Sequence, residues 1–412
     1  MKLINNKIKL ILNTYTELPI EIYILFIGKM INCIGAFVYP LLSLILTQKI
    51  GFPIEEAGFF VTFTAIFQAP CILLGGKLVD TIGRKKVLLI FQSLGAFCFI
   101  ICGFLNPSHT LARFIMCASC LYSIAHPAYD SIVGDITTKE NRKASFSLIY
   151  MGLNLGFAIG PLVGGLLFKN HLKILFIGDA FTTLISVILI GYFIKETYNV
   201  SNNKDNNTLE KTEHGSVFEF ILKRPILIYY SLLMVIFQFA YSQWGFAIPI
   251  QLETLFGDNG AQYFGFLGSC NGIIVIIFTP LITVLTRKYD ILSIIATGGL
   301  LYAISFGCCS FISKVPSFFI IVIIMTIGEV AIATNSGTFI NNLTPSSHRG
   351  RINSLLPLIY GTGYALGPSI MGKLINIIGL SNAWLIVGIT TCISAVLMYF
   401  LNYTNKINCK NF

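Results

Sequence analysis

Charged residues are scarce in this sequence. Asp, Glu, Lys and Arg make up 11% of the 412 residues, whereas hydrophobic residues make up 55%. A soluble domain carries about 25% charged residues, so the composition excludes an ordinary soluble protein. The only long polar stretch lies at residues 195–224, and the rest of the chain is divided into long apolar runs. These absences indicate a protein that is embedded in a membrane.

The sequence also lacks the motifs of common enzymes. It contains no G-x-x-x-x-G-K-[ST], no H-E-x-x-H, no G-x-S-x-G and no cluster of His, Asp and Glu within one apolar run. Cys117 and Cys120 form a C-x-x-C inside an apolar run, where we expect two small apolar residues on a buried helix rather than a metal or redox site. We therefore expect no enzyme activity, no ATP hydrolysis, no metal and no cofactor.

Twelve apolar segments are each long enough to cross a bilayer as a helix. Spans one to twelve are predicted near residues 20–46, 57–79, 87–105, 110–134, 145–168, 172–194, 226–252, 260–285, 290–312, 316–342, 353–378 and 382–403. They are too long and too uniformly apolar for barrel strands. The sequence therefore predicts an all-α membrane protein with twelve transmembrane helices.

The two halves of the chain are related by an internal repeat. Residues 141–165 read NRKASFSLIYMGLNLGFAIGPLVGG, and residues 348–372 read HRGRINSLLPLIYGTGYALGPSIMG. They align without a gap at an offset of 207 residues, which places Gly156 on Gly363 and Pro161 on Pro368. A long apolar chain with two related halves is typical of a membrane transporter built from repeats.

The distribution of positive charge predicts the orientation. The net charge is +10, and most of the 28 basic residues fall in the tails and in the loops on one side of the predicted spans. The positive-inside rule makes that side cytoplasmic, so both termini are expected in the cytoplasm. Because the charge is spread over many short loops rather than one face, the sequence gives no reason to expect nucleic-acid binding.

The predicted organisation has two six-helix halves joined by a linker. We expect a cytoplasmic tail at 1–19, which we interpret as a retained tail and not a cleaved signal peptide because it lacks a small-residue cleavage site. The first half then covers 20–195, a flexible cytoplasmic linker covers 196–224, the second half covers 225–403, and a second tail covers 404–412.

The loop after span two carries a recognisable motif. It reads GKLVDTIGRKK from Gly76 to Lys86, which resembles the G-x-x-x-D-R/K-x-G-R-K/R signature of the major facilitator superfamily, with Thr81 in place of a basic residue. The resemblance implies a conformational latch on the cytoplasmic side, formed by Gly76, Asp80, Gly83, Arg84, Lys85 and Asp135. It places Asp80 near the start of span eleven and Arg84 near Asp135, at the end of span four. The alternative is a solvated basic loop.

Span five resembles a more specific subgroup of that superfamily. Gly156, Gly160, Pro161, Gly164 and Gly165 match the G-x-x-x-G-P-x-x-G-G motif of drug:proton antiporters. Glycines at this spacing allow helices to approach closely, and proline bends a span because it lacks a backbone donor. The resemblance, which covers nearly the whole chain, implies an exporter of the bacterial multidrug type, whereas a bare G-x-x-x-G would indicate only helix packing.

Ionisable residues inside spans are candidates for proton coupling, because burying an unpaired charge in a bilayer costs several kcal/mol. Asp130 in span four and Glu329 in span ten are our first candidates, since spans one, four, seven and ten line the cavity in the superfamily. The alternative for each is a structural pair between helices. Lys29 either pairs with a carboxylate from another span or extends to the interface. For Asp179 a structural role is favoured, because span six lies outside the cavity-lining set.

A mixed aromatic and polar wall is predicted for the substrate cavity. Its candidate residues are Asn32, Tyr129, Tyr241, Gln243, Trp244 and Asn271. Aromatic faces bind lipophilic cations with modest directional demand. For any one aromatic residue, a lipid-facing position is an equally good interpretation.

Together these features predict a secondary transporter in the cytoplasmic membrane of a bacterium. It would export lipophilic compounds or drugs in exchange for protons by alternating access, as a monomer in the lipid bilayer that interacts with a small-molecule substrate and protons. The proton gradient would supply the energy. The alternatives are a carrier of one specific metabolite, such as a sugar or an amino acid, and a membrane sensor that transports nothing.

Overall fold

The structure is a computed structural model and describes residues 18–138, 141–197, 224–286, 288–344 and 346–410. Every regular element in these residues is helical. Most of the amino-terminal tail and of the 196–224 linker lies outside the described residues, so the interpretation of both segments stays a prediction. The last helix continues to Lys410, so the predicted tail at 404–412 begins as helix.

Ten of the twelve predicted spans are single helices. Their ends lie within four residues of the predicted ends, except that span eleven begins seven residues earlier and span twelve ends seven residues later. Spans two to six are the helices Ile54–Ile82, Arg84–Phe104, His109–Ile136, Arg142–Phe168 and Leu172–Phe193, and spans eight to twelve are Gly260–Leu285, Ile291–Cys308, Val315–Leu343, Ser346–Ile378 and Leu380–Lys410. The predicted all-α fold of twelve spans in two repeated halves is confirmed.

Eight helical segments in the described residues are long and apolar enough to cross a membrane, judged by length and composition. One of them, Pro225–Leu285, contains both span seven and span eight. Span one is not among the eight because its first helix has only 15 residues. Large apolar side chains on the outer faces, such as Leu73, Ile188 and Phe311, are more than two-thirds exposed, as lipid contact requires.

Spans one and seven are interrupted, which the apolar pattern did not predict. Span one consists of the helix Ile20–Ile34 and, after a turn, Leu42–Leu44, which continues into a π-helical turn at Ile45–Ile50. Span seven consists of Pro225–Ser242 and Ala247–Phe256. The 207-residue offset places the start of one break within one residue of the start of the other, so the interruption is a feature of the repeat.

The described residues fall into two compact units. One comprises Met1–Leu41 and Thr64–Thr208, and the other comprises Leu42–Phe63 and Leu209–Phe412. The short segment Leu42–Phe63 therefore packs with the second unit, although it lies in the predicted first half. The predicted boundary within 196–224 is not tested by the described residues and stays a prediction.

The packing inside each unit follows the repeat. In the first unit, span three packs on spans four and six, and span one packs on span five. In the second, span nine packs on spans ten and twelve, and span seven packs on span eleven. Each pair in one unit thus has its counterpart six spans later. In the first unit a core that includes Leu25, Ile132 and Leu148 lies near one end of the bundle, next to the motif loop.

Candidate functional site

Glu329 lies in a polar cluster inside the second unit. Its Oε1 accepts a hydrogen bond from the Tyr241 hydroxyl at 2.8 Å, and its Oε2 accepts one from the Asn271 side-chain amide at 3.0 Å. The same Asn271 nitrogen lies 2.8 Å from the Thr326 hydroxyl. Three predicted residues, from spans seven, eight and ten, thus meet at one carboxylate. Two donors fix the orientation of the carboxylate, and its negative charge suits it to bind a cation.

Aromatic rings surround this carboxylate. The Tyr241 ring stacks on Tyr302 with centroids 5.8 Å apart, and it lies 6.3 Å from the ring of Tyr364. Tyr302 is buried, Glu329 and Tyr241 are half-buried, and Tyr364 is exposed. Neither Tyr302 nor Tyr364 was among the predicted site residues. The arrangement combines a negative charge with aromatic faces, a chemistry that binds lipophilic cations.

A second group of ionisable residues lies in the first unit. The Lys29 ammonium is 5.2 Å from the centroid of the Tyr129 ring, and Tyr129 is buried with its hydroxyl donating to the Leu25 carbonyl. Within the described residues Lys29 forms no ion pair and makes a cation–π contact with Tyr129. The Tyr129 ring therefore contacts the Lys29 ammonium and helps to position it. The part of Lys29 in proton coupling stays a prediction.

Asp130 is exposed, so a buried pair that holds helices together does not describe it. It accepts no hydrogen bond from the described residues, and it lies with Lys29 within electrostatic range of His126. The structure leaves its predicted part in proton coupling untested.

Three predicted cavity residues have other contacts. The Asn32 amide donates to the Thr183 hydroxyl at 2.9 Å, and Trp244 packs on Phe264 with ring centroids 5.2 Å apart. Gln243 is completely buried and donates to the Phe239 carbonyl at 2.9 Å. Its prediction as a cavity residue does not fit this structure, because the break in span seven turns its side chain into the helix packing.

The predicted latch loop is anchored by Arg84. Its Nε donates to Asp135 Oδ2 at 3.1 Å, and its guanidinium also lies 3.8 Å from Asp80. The Arg84 and Asp135 side chains are only 10% and 16% exposed, whereas that of Asp80 is 75% exposed. The predicted approach of Arg84 to Asp135 is therefore present. Whether the group acts as a latch stays a prediction.

Glu196, at the end of span six, completes this network, and it was not among the predicted site residues. Its carboxylate accepts hydrogen bonds from the backbone amides of Arg84, Lys85 and Lys86 at 2.9, 3.3 and 3.3 Å. It thereby caps the first turn of span three, where a helix attracts negative charge. The next residue, Thr197, donates to Asp135 at 2.8 Å. The sequence feature that could have indicated this role is an acidic residue directly after span six.

Gly83 is required by this geometry. Its φ is +110°, in the region that favours glycine, and a Cβ at this position would lie 2.6 Å from the Glu196 carboxylate. Gly76, by contrast, has nothing within 4 Å of an added Cβ. The two glycines of the motif therefore have different roles, and only Gly83 is sterically demanded here.

The antiporter motif packs span five against the break in span one. A Cβ at Gly156 would overlap with Cys33, and one at Gly160 would lie 2.8 Å from the Cys33 carbonyl. The second copy makes the same contact inside the second unit, where Gly363 and Gly367 lie against span seven. Pro161 and Gly165 are buried in span five, and Gly164 lies near Leu41. Small residues are needed because the two backbones are so close.

Twelve apolar spans, an internal repeat and ionisable groups within the spans define a membrane carrier built from two repeats. The chain belongs to the Major Facilitator Superfamily, whose family model matches residues 25–295 and 245–410. This superfamily consists of carriers rather than enzymes, which agrees with the absence of enzyme motifs.

The names of two similar proteins differ in the activity that they state. The chain is 24% identical over 363 residues to a Na(+), Li(+), K(+)/H(+) antiporter of Planococcus maritimus, covering 80% of this chain and 84% of the relative. It is also 24% identical to Multidrug resistance protein 2 of Bacillus subtilis, covering 65% of this chain and 66% of that protein.

Solved structures confirm the fold alone. The nucleoside transporter NupG matches with a TM-score of 0.76 at 14% identity, covering 93% of this chain and 99% of that one. A POT family transporter in complex with a thioalcohol-conjugated peptide matches with a TM-score of 0.76 at 15% identity, covering 95% and 99%. At this identity the likeness carries no information on substrate.

Proposed function

We propose that this protein exports lipophilic cations or drugs from a bacterial cell in exchange for protons. The observation that carries the proposal is Glu329, a half-buried carboxylate that accepts hydrogen bonds from Tyr241 and Asn271 beside stacked tyrosine rings. The same carboxylate can hold either a proton or a cation. Binding one therefore displaces the other, which is the requirement for antiport.

The remaining parts of the mechanism are inferred from the family. Alternating access exposes the Glu329 site first to the cytoplasm and then to the outside, while Asp130 takes part in proton exchange in the first half. The Arg84–Asp135 contact latches the cytoplasmic side. The protein works as a monomer in the cytoplasmic membrane with both termini in the cytoplasm, and it uses the proton gradient without a cofactor.

A second candidate is antiport of protons against a monovalent metal cation. It is favoured by the relative from Planococcus maritimus, whose name states this activity. The two candidates differ in what the site offers. A small hydrated cation requires several oxygen ligands, whereas a lipophilic cation requires aromatic faces and one carboxylate. The aromatic surroundings of Glu329 favour the lipophilic cation.

The test is transport into proteoliposomes that carry an imposed pH gradient, with ethidium and a panel of lipophilic dyes as probes. Wild type is compared with Glu329→Gln and Asp130→Asn. The control is Glu56→Gln, which neutralises an exposed carboxylate at the start of span two. We expect gradient-driven dye movement in wild type and in the control, and at least about a tenfold loss in Glu329→Gln.

Other outcomes of this experiment would contradict the proposal or favour another function. Dye movement that ignores the gradient would contradict proton coupling. Movement of Na⁺ or K⁺ without dye movement would favour the second candidate. If no dye and no metal ion moved, a carrier of one metabolite would take precedence, and a protein that binds a ligand without moving it would be a sensor.

A further inference from the structure

The break in span one is held by residues of span six. The helix Ile20–Ile34 ends at Gly35, where an added Cβ would overlap with the Thr182 side chain. One residue further along span six, Thr183 accepts the hydrogen bond from Asn32. Positions 179, 182 and 183 follow helical spacing, so one face of span six contacts the whole break.

Asp179 supplies the charge on that face. Its Oδ2 accepts hydrogen bonds from the backbone amides of Phe37 at 3.1 Å and Val38 at 3.2 Å. The Phe37 amide also donates to the Gly35 carbonyl at 2.7 Å. For the Val38 amide, Asp179 is the only acceptor among the described residues. Asp179 is 6% exposed, and no lysine or arginine of the described residues lies within ion-pair distance of it.

The internal repeat provides a comparison for this arrangement. At the matching break in span seven, the Gln243 and Trp244 amides donate to the backbone carbonyls of Ala240 and Tyr241. The residue that corresponds to Asp179 at the 207-residue offset is Ile386, which is apolar. The second unit thus maintains the same kind of break without a carboxylate. The negative charge of Asp179 is therefore not required simply to interrupt a span.

The position of the break suggests a purpose for this charge. The chain passes from one compact unit to the other between Leu41 and Leu42, directly after the residues that Asp179 holds. A segment that connects two compact units is where a hinge is expected. A carboxylate that accepts hydrogen bonds from the backbone at this point can change the strength of these bonds by gaining or losing a proton.

We propose that Asp179 is a proton-binding site that controls the break in span one. The ionised carboxylate holds the Phe37 and Val38 amides through charge-assisted hydrogen bonds, which are about twice as strong as neutral ones. A proton taken up from water forms an O–H bond on Oδ1, which accepts no hydrogen bond from the described residues. The neutral acid then holds the amides weakly, and the segment Gly35–Leu41 loosens.

The other titratable groups that face Asp179 are thiols, a phenol and the Lys29 ammonium, and none of them is a carboxylate. On span one the nearest titratable group is the Cys33 thiol, with Lys29 one turn before it. On span four Tyr122 lies within electrostatic range, and on span three Cys98 and Cys102 lie near Tyr122. Thiols and phenols titrate well above carboxylates in water, so the carboxylate is the most acidic of these groups and the one that ionises first as the pH rises.

The test is hydrogen–deuterium exchange of the full-length protein in lipid nanodiscs at pH 5.5, 7.0 and 8.5, with labelling times corrected for the chemical exchange rate. The readout is the protection of the peptide that contains Gly35–Leu41. In wild type we expect protection to fall about tenfold as the pH is lowered, because charge assistance is lost. Asp179→Asn should show the low protection at every pH.

Two controls are contained in the same experiment. The peptide that contains Gln243–Phe246 reports the break without its own carboxylate, and it should not respond to pH in Glu329→Gln, which removes the titratable partner of the nearby Tyr241. Glu329→Gln should keep the pH response at Gly35–Leu41, which separates this site from the proposed transport site. Because the readout is hydrogen exchange and not transport, its result does not depend on whether the proposed substrate is correct.

A pH-independent protection at Gly35–Leu41 in wild type would overturn the proposal and make Asp179 a static cap. If Asp179→Asn does not fold, Asp179→Glu provides the second variant, because it keeps a titratable group and should shift the pH at which protection falls. An unchanged profile in Asp179→Glu, or equal pH responses at the two breaks in Glu329→Gln, would also contradict it.

Discussion

Among single residues, Tyr241 offers the most specific test of the Glu329 site. Tyr241→Phe removes the hydroxyl that donates to Glu329 and keeps the ring. A hydrogen bond to a charged group contributes about 1.5–3 kcal/mol, so we expect tetraphenylphosphonium to bind roughly tenfold or more weakly. Equilibrium binding to the purified protein measures this. Tyr302→Phe is the matched control, since its ring also lies in the stack and its hydroxyl forms no described hydrogen bond. Equal losses in the two variants would contradict the account.

Substitutions of Asp135 and Asp80 test two properties of the latch separately: its contribution to stability and its role in the conformational cycle. Asp135→Asn weakens two contacts, those with Arg84 and Thr197, in a largely buried setting. We expect this variant to lose about 1–3 kcal/mol of unfolding free energy. Asp80→Asn should lose less than about 0.5 kcal/mol, because exposed ion pairs contribute little. Thermal unfolding in detergent measures both.

The transport rates of these two variants then test the latch itself. If Asp80 acts in the conformational cycle, Asp80→Asn slows transport although it leaves stability unchanged. Equal unfolding temperatures for the two variants would contradict the structural account of Asp135. An unchanged transport rate in Asp80→Asn would remove Asp80 from the latch.

Sequence reasoning at the residue scale found the carboxylate but not its complete surroundings. Asn271, Tyr241 and Glu329 were predicted separately, and the structure brings them together. Gln243 lies two residues from Tyr241 yet points into the packing, because the break changes the direction of side chains after Ser242. That direction depends on the backbone of the break, which no local pattern of apolar residues encodes.

For helices, the repeated glycines predict a steric contrast within span eleven. A Cβ at Gly363 would overlap with the Val235 carbonyl of span seven, whereas one at Gly361 meets nothing within 4 Å. Gly363→Ala should therefore lose about 1–3 kcal/mol of stability, because a backbone carbonyl cannot easily move aside. Gly361→Ala should be neutral or gain up to about 1 kcal/mol, since alanine is the better helix former. Thermal unfolding of the two variants decides, and a loss in Gly361→Ala equal to that in Gly363→Ala would contradict close packing.

The ends of most helices could be predicted from the sequence, but the two breaks could not. Apolar runs of about 20 residues define a span regardless of its internal geometry. Pro40 and Gly245 were visible, but proline and glycine also occur inside continuous spans of this chain, as Pro161 and Gly363 do. The residues of the break in span one also contact Asp179, which is more than 140 residues away in sequence. Such a long-range contact has no local signal.

For the molecule as a whole, the charge distribution predicts the orientation in the membrane. Lys314 and Lys86 are both exposed, and the positive-inside rule places them on opposite sides. A membrane-impermeant amine reagent applied to intact cells should therefore label Lys314 and spare Lys86, and both should be labelled after permeabilisation. Mass spectrometry of the two peptides measures this, and labelling of Lys86 in intact cells would reverse the predicted orientation.

The central claim is that Glu329 exchanges a proton for a cationic substrate. The most direct measurement is proton release when tetraphenylphosphonium is added to the purified protein in weakly buffered solution, followed with a pH indicator. By linkage, we expect about one proton released per cation bound at pH values where Glu329 is protonated, and no release in Glu329→Gln. Binding by wild type without proton release, or equal release from Glu329→Gln, would contradict the claim.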